Sequence, residues 1–175
     1  MGLDIRYYTK LKDIGNAPAD GGYGDGQIVF YDNEYFPGRI APWKDTILYS
    51  YDCSEDREER HFRCGYTSYS VMRNKLAKLA GYTATESKEP MATFLYSNGV
   101  YASECGPLFE LLNFSDCEGT IGADACKKMV PEFEELWPQI EAEHVDGPFD
   151  HFRTFCEYLR RALKAGADKG AIRFS

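Results

Sequence analysis

Patterns typical of strands and of helices occupy different parts of this chain, and this separation constrains the fold more than any other feature. Apolar and polar side chains alternate over residues 3–8, and strand-like runs follow at residues 27–31 and 46–51. After residue 60, apolar residues recur at helical spacing, most clearly over residues 67–80 and 149–163. Segregated strands and helices predict an α+β fold, with an antiparallel sheet covered on one face by helices. The length fits a single domain spanning residues 1–175.

Glycine and proline mark several of the expected element ends. The helix at 67–80 is expected to begin at a cap formed by Thr67 or Ser68 and to end at Gly81. Residues 15–26 are rich in glycine but no lysine follows them, which predicts a hairpin or flap rather than a phosphate loop. The remaining predicted elements are a strand within 91–100, helices at 108–112, 123–129 and 131–143, with Pro131 as a kink or a fresh start, and a closing strand at 171–174.

The charge of the chain narrows the classes of partner. Acidic residues outnumber basic ones, 28 to 20, so the net charge is −8 at neutral pH. An acidic surface repels phosphate backbones, and we therefore expect no binding of long nucleic acids. A small phosphorylated ligand held by a few arginines is compatible with this charge, and so is a basic protein partner.

The cysteine and histidine positions argue against a metal site. The six cysteines form no CxxC pair, and the three histidines are not at ligand spacing near cysteines, so we expect neither a metal nor a cofactor. Reduced thiols, together with the lack of a signal-peptide pattern or a long apolar run, predict a cytoplasmic protein without a membrane span.

The first candidate site lies where a predicted strand runs through a glycine into the helix at 67–80. Exposed N–H groups and the positive end of the helix dipole gather at such a junction, where an arginine beside two hydroxyls adds a full positive charge. A tyrosine there can stack on a ring of the ligand. The alternative is an ordinary capped helix whose arginine pairs with a carboxylate. The residues of this first cluster are Arg63, Gly65, Tyr66, Thr67, Ser68 and Tyr69.

A polar segment between two apolar runs, residues 113–122, forms the second candidate site. Short polar side chains concentrated in a half-buried loop must satisfy many donors and acceptors, which favours a ligand, a metal or a closed turn. Asp116 and Glu118 can share a divalent cation, act as an acid–base pair, or pair with an arginine such as Arg63 or Arg73. Cys117 is interpreted as an inert thiol. The ligand-binding candidates of this second cluster are Asn113, Ser115, Asp116 and Glu118, and we expect them to lie close to the first cluster.

Segments in the first, middle and last parts of the chain carry a family resemblance. They are the opening MGLDI, Phe62-Arg63 with Gly65 and Tyr66, residues 74–82 (NKLAKLAGY), residues 109–119 (FELLNFSDCEG), and the closing Gly170-Ala171-Ile172 with Phe174. These segments resemble a family of uncharacterised proteins from bacteria, prophages and phages. The likeness spans most of the chain, and residues 113–119 are its most specific part. It implies a small, cytosolic, phage-associated protein and no particular activity.

Three functions are compatible with these observations, and we expect binding rather than catalysis. In the first, the protein binds a small anionic, nucleotide-like ligand, with phosphate at the first cluster and polar edges read by the second. In a phage setting, such a protein can counter host defence by sequestering a signal. The second function is a metal-assisted hydrolase that uses Asp116 and Glu118. The third is an acidic protein that inhibits a host factor by binding it.

Overall fold

A four-stranded antiparallel sheet lies at the centre of the fold and pairs the first strand of the chain with the last. The computed structural model describes residues 2–54, 59–86, 94–114, 119–143 and 151–175. From edge to edge, this main sheet consists of β5 (His61–Cys64), β1 (Leu3–Tyr8), β9 (Ala171–Phe174) and β8 (Gly119–Gly122).

A second antiparallel sheet packs on one face of the main sheet. Its strand order is β2 (Lys12–Asn16), β4 (Ile47–Ser50) and β3 (Gln27–Val29), and a separate short pair joins β6 (Thr85–Glu86) to β7 (Phe94–Leu95). The two larger sheets enclose a small core of aromatic and aliphatic side chains formed by Tyr8, Leu11, Ile28, Phe30, Ile40, Tyr49 and Ala171. This small core leaves part of the main sheet's outer face open.

Helices cover the opposite, inner face of the main sheet. In the described ranges they are α1 (Tyr66–Leu79), α2 (Tyr96–Ala102), α3 (Phe109–Leu112), α4 (Ala123–Ala142) and α5 (His151–Ala167). Leu3, Ile5 and Tyr7 of β1 alternate with more polar neighbours and are buried in the core under these helices. Tyr158 of α5 donates a hydrogen bond to the carbonyl oxygen of Ile5, 2.7 Å away, which fixes the helix on the sheet. The predicted α+β fold, an antiparallel sheet covered by helices, is confirmed.

The main sheet contains more of the C-terminal half than the sequence patterns predicted. Two of its four strands, β8 and β9, come after residue 118, and β8 lies inside the segment 113–122 that was interpreted as a loop. The reason is long-range pairing: Thr120 and Ile121 lie opposite Arg173 and Ile172 of the closing strand. Pairing across such a separation leaves no local pattern in four residues.

Tertiary packing also overrode two predictions about helix boundaries. A fresh helix at Pro131 is wrong, since α4 continues through both Pro131 and Pro138. Met129 and Phe133, on either side of the first proline, are both buried in the main core, and this packing holds the helix together despite the lost hydrogen bond. In the described part of the strand expected within 91–100, only Phe94–Leu95 is a strand, and α2 begins directly after it.

Gly122 sets how closely the two layers approach at the end of β8. A Cβ atom placed there would lie 2.1 Å from the carbonyl oxygen of Ile40 and 2.2 Å from that of Ala41. The backbone N–H of Gly122 donates to the carbonyl oxygen of Arg39 at 2.7 Å. Only glycine allows this contact, which fixes residues 39–41 against the main sheet.

Candidate functional site

A row of polar residues crosses the open part of the main sheet's outer face. Arg6 of β1 lies directly opposite His61 on one side and Arg173 on the other, and Arg173 in turn lies opposite Thr120. Because side chains alternate along a strand, all four belong to the face that does not carry the helices. Next to this row, Tyr8 and the second sheet close off the small core.

A cleft of about 350 Å³ opens between this row and the second sheet, and we call it the tyrosine–arginine cleft. The rings of Tyr8 and Tyr51 pack edge to face with their centroids 5.0 Å apart. The guanidinium carbon of Arg60 lies 5.5 Å from the centroid of the Tyr51 ring. The cleft is lined by Arg6, Tyr8, Asp25, Tyr51, Cys53 and Arg60, with Gly26 at its edge.

The two arginines of the tyrosine–arginine cleft form no ion pair with any carboxylate in the described parts of the chain. Arg60 donates from Nη1 to the backbone carbonyl oxygen of Asp52 at 3.2 Å, and Arg6 hydrogen-bonds to the Tyr8 hydroxyl. The Nε atom of each arginine is buried without a hydrogen-bond partner. The cleft therefore holds two guanidinium groups against one carboxylate, Asp25, on a protein whose net charge is −8.

The Tyr8 hydroxyl can donate a hydrogen bond into this cleft. Burial raises the pKa of Tyr8 above its ordinary value, and the neighbouring guanidinium groups of Arg173 and Arg6 act in the opposite direction. Because the net change is upward, the hydroxyl stays protonated at neutral pH. A protonated phenol beside two guanidinium groups is suited to an anionic oxygen.

The first sequence cluster is divided between the two faces of the main sheet. Arg63 lies opposite Asp4 on the outer face, its side chain is 71% exposed, and its Nε is 3.5 Å from the Asp4 carboxylate. Thr67 and Ser68 are exposed on the first turn of α1, and Tyr66 is half-buried against the main core. This contact with Asp4 agrees with the alternative interpretation, in which Arg63 pairs with a carboxylate.

Two details predicted for this cluster are wrong. The N-cap of α1 is Gly65, with no side-chain cap, because the helix begins at Tyr66 and places Thr67 and Ser68 inside its first turn. Tyr69 has no free ring face for a ligand, since it is 1% exposed and packs against Phe155 and Phe174.

The second cluster can be placed only at its two ends. Asn113 is half-buried at the C-terminal cap of α3, whereas Ser115, Asp116, Cys117 and Glu118 lie outside the described residues. Phe114 is fully buried, and its carbonyl oxygen accepts a hydrogen bond from the Tyr69 hydroxyl at 3.0 Å. The described parts of the two clusters therefore meet through Tyr69 and Phe114.

The described parts of the chain show neither a metal-binding cluster nor a membrane-spanning helix. Those parts contain no group of three histidine, cysteine or acidic side chains close enough together to hold a metal ion. None of their helices combines the length and the apolar character needed to cross a bilayer.

Known proteins offer no template for this site. Comparisons of the chain with protein-family models, with curated proteins and with solved structures found no match. Any function therefore has to be argued from the side chains themselves.

The sequence reasoning missed the residues that form the tyrosine–arginine cleft. One signal was available: polar Asp4, Arg6 and Tyr8 alternate with buried residues in β1, which places them on one face. The partners from other segments could not be found in this way, because Tyr51, Arg60 and Arg173 come together only through strand pairing and sheet packing.

Proposed function

We propose that the protein binds a small anionic ligand carrying an aromatic ring, of the nucleotide class, in the tyrosine–arginine cleft. The observation that carries this proposal is the pair of arginines, Arg6 and Arg60, that form no ion pair among the described residues and flank two packed tyrosines. The ligand class is the one expected from the sequence. The site differs, because Arg63 is already paired with Asp4.

The cleft offers separate positions for the two parts of such a ligand. A phosphate can accept charge-assisted hydrogen bonds from Arg6 and Arg60 and a further bond from the Tyr8 hydroxyl. The ring of Tyr51 is half-buried and lines the cleft, so it can contact a base. A volume of about 350 Å³ lies within the range of ordinary small-molecule sites.

Isothermal titration calorimetry with the four ribonucleoside monophosphates, and with inorganic phosphate for comparison, tests the proposal. Arg6→Gln and Arg60→Gln should each weaken nucleotide binding about tenfold to a hundredfold, as expected for a lost charge-assisted bond to phosphate. Arg63→Gln is the matched control. It also removes an arginine from the outer face of the main sheet, but this arginine is paired with Asp4. Its affinity should equal that of the wild type.

Three outcomes would contradict this assignment. A loss of binding in Arg63→Gln alone would return the site to the first sequence cluster. If none of the nucleotides gives a heat of binding at millimolar concentration, the proposal is wrong. Nucleotide turnover in the presence of Mg²⁺ or Mn²⁺, abolished by Asp116→Asn, would replace binding by the metal-assisted hydrolase.

The proposal also includes a biological role for this binding. The resemblance to phage and prophage proteins supports a protein that acts in the host cytoplasm and counters defence by sequestering a nucleotide signal. Mass spectrometry of small molecules released from the protein after purification from infected cells tests this step. A nucleotide recovered with the wild type and missing from Arg6→Gln is the expected result, and equal recovery from both would contradict it.

A further inference from the structure

A second cavity adjoins the tyrosine–arginine cleft at the other end of the polar row. It has a volume of about 380 Å³ and lies between β8, β9 and the turn at residues 31–35. Arg173 lines this cavity, and Arg6, which lies directly opposite Arg173, lines the tyrosine–arginine cleft. One residue from each cavity therefore stands at the directly opposed Arg6–Arg173 pair.

The turn at residues 31–35 presents two tyrosine rings to this second cavity. Tyr31 is 56% exposed and Tyr35 is 77% exposed, which is unusual for side chains with so much apolar surface. The turn is held by its own hydrogen bonds: Asn33 Oδ1 accepts from the backbone N–H of Tyr35 at 2.9 Å, and Asp32 Oδ2 accepts from that of Gly38 at 3.0 Å. The rings are thus exposed on a turn that is ordered by hydrogen bonding.

Two arginines consequently lie between two pairs of aromatic rings on the outer face. Tyr8 and Tyr51 lie in one cavity, Arg6 and Arg173 at the junction, and Tyr31 and Tyr35 in the other. Directly opposed residues of antiparallel strands have Cα atoms about 4.5–5.5 Å apart, so both guanidinium groups can reach one phosphodiester. Like Arg6, Arg173 forms no ion pair among the described residues.

We infer that the ligand contains two bases joined by a phosphodiester, with one base in each cavity and the phosphodiester over Arg6 and Arg173. This inference rests on the proposed function and names its ligand class more narrowly. Base–aromatic stacking tolerates different bases and suits exposed tyrosines. The carboxylates of Asp32 and Glu34, which also line the second cavity, can accept hydrogen bonds from base amino or ribose hydroxyl groups. They would repel a terminal phosphate at that end, so the ligand ends there in an uncharged nucleoside.

Calorimetry with the dinucleoside monophosphates ApA, GpG, CpC and UpU, beside the matching ribonucleoside monophosphates, tests the inference. At least one dinucleoside monophosphate should bind the wild type about tenfold or more tightly than its mononucleotide, since a second base is stacked. Tyr35→Ala and Tyr31→Ala should each remove much of that gain and leave mononucleotide affinity unchanged. Tyr23→Ala, which alters another exposed tyrosine outside both cavities, should change neither affinity.

The outcomes separate this inference from the proposed function. If mononucleotides bind the cleft as tightly as dinucleoside monophosphates, and Tyr31→Ala and Tyr35→Ala are without effect, the two-base ligand is wrong while the nucleotide site remains. If neither class binds the wild type, both are wrong. A loss of mononucleotide binding in Tyr35→Ala would place the single base in the second cavity and would also overturn the two-base arrangement.

Discussion

Arg6 and Arg173 lie directly opposite each other on adjacent antiparallel strands, so that two guanidinium groups share one small area of the sheet. Neither forms an ion pair with a carboxylate in the described residues. Like charges at directly opposed positions destabilise a sheet, so this pair is a cost to the folded state unless an anion binds there. Such an arrangement is typical of functional surfaces, where stability is given up for recognition.

Removing one charge of this pair should therefore stabilise the free protein. We expect Arg173→Gln to raise the free energy of unfolding by about 0.2–1 kcal/mol in urea titrations at low ionic strength, with the gain shrinking as salt screens the repulsion. Arg161→Gln, which removes an exposed arginine on α5, is the control for the change in net charge. A less stable Arg173→Gln at low salt would mean that the Arg173 charge is already compensated.

A second expectation concerns Tyr158, which connects the helical core to the tyrosine–arginine cleft. Its hydroxyl contacts the carbonyl oxygens of Ile5 and of Arg60, at 2.7 and 3.1 Å. Tyr158→Phe should lower the free energy of unfolding by about 1–3 kcal/mol, because the carbonyl group of Ile5 loses a buried donor. Nucleotide affinity should fall as well, since the carbonyl oxygen of Arg60 keeps only its hydrogen bond from the backbone N–H of Tyr7, at 3.2 Å.

The matched control for Tyr158→Phe is Tyr23→Phe, which removes an exposed hydroxyl outside the cleft and should change neither quantity. Urea unfolding and calorimetric titration of both variants measure the two effects. Unchanged nucleotide binding in a destabilised Tyr158→Phe would show that Arg60 keeps its position without this bond.

Glu134 of α4 should contribute to stability in a pH-dependent way. Hydrogen bonds from Arg160 and Lys164 of α5 hold the pKa of its carboxyl at about 2, against an ordinary value of 4.5. Because the pKa is lowered in the folded state, the stabilisation is fully present above about pH 4.5 and is lost as the pH falls toward 2. The side chain is 33% exposed, so its ion pairs are worth no more than about 1 kcal/mol.

Glu134→Gln should thus be less stable than the wild type at pH 7, and the difference should shrink steadily between pH 4.5 and pH 2. Glu135→Gln changes the neighbouring, exposed residue and controls for the loss of one negative charge on the same helix. Urea titrations across this pH range measure the difference. A constant difference from pH 7 to pH 2 would show that packing, rather than charge, is responsible.

Gly122 provides a test of the contact between β8 and residues 39–41. In Gly122→Ala the new Cβ atom would meet backbone carbonyl oxygens at 2.1–2.2 Å, so the layers have to move apart. We expect a loss of about 1–3 kcal/mol in the free energy of unfolding, since overpacking against backbone cannot be relieved by rotamer changes. Thermal and urea unfolding measure it, and a stability equal to that of the wild type would contradict the close approach.

Gly65→Ser is the control for Gly122→Ala, because it also replaces a glycine but at a position with space for a side chain. Nothing lies within 4 Å of a Cβ atom at this position, and the backbone φ of −73° suits any residue. A serine at this N-cap supplies the side-chain acceptor that α1 lacks, so the variant should be a few tenths of a kcal/mol more stable than the wild type.

Local patterns predicted the elements of this fold better than they predicted which side chains strand pairing brings together. The alternation in β1 and the apolar stripes of α1 and α5 arise from the face that each element buries, and burial is readable from spacing. The strand β8 was interpreted as a loop because its four residues, two of them glycine, carry no period of their own. What identifies β8 is its partner, β9, about fifty residues later.

The sequence analysis pointed to other residues than the proposed cleft for a related reason. Arg63 beside a glycine and two hydroxyls looks like an anion site in the sequence, but the fold brings Asp4 and His61 to the same face, and Asp4 contacts both basic side chains. Arg6 and Arg173 are 167 positions apart and carry no motif, yet strand pairing makes them neighbours. Charge compensation depends on long-range contacts, which spacing along the chain does not contain.

The two tryptophans of the chain lie at two different contacts between structural elements. Trp43 donates from Nε1 to the carbonyl oxygen of Gly170 at 2.7 Å, and its ring packs on Tyr49 of the second sheet. Trp137 lies on α4 with the guanidinium carbon of Arg160, from α5, 4.2 Å from its ring centroid. Intrinsic fluorescence can therefore follow the two contacts separately. With Trp137 replaced by phenylalanine, the emission of Trp43 reports whether the second sheet is attached to the main sheet, independently of the helical layer.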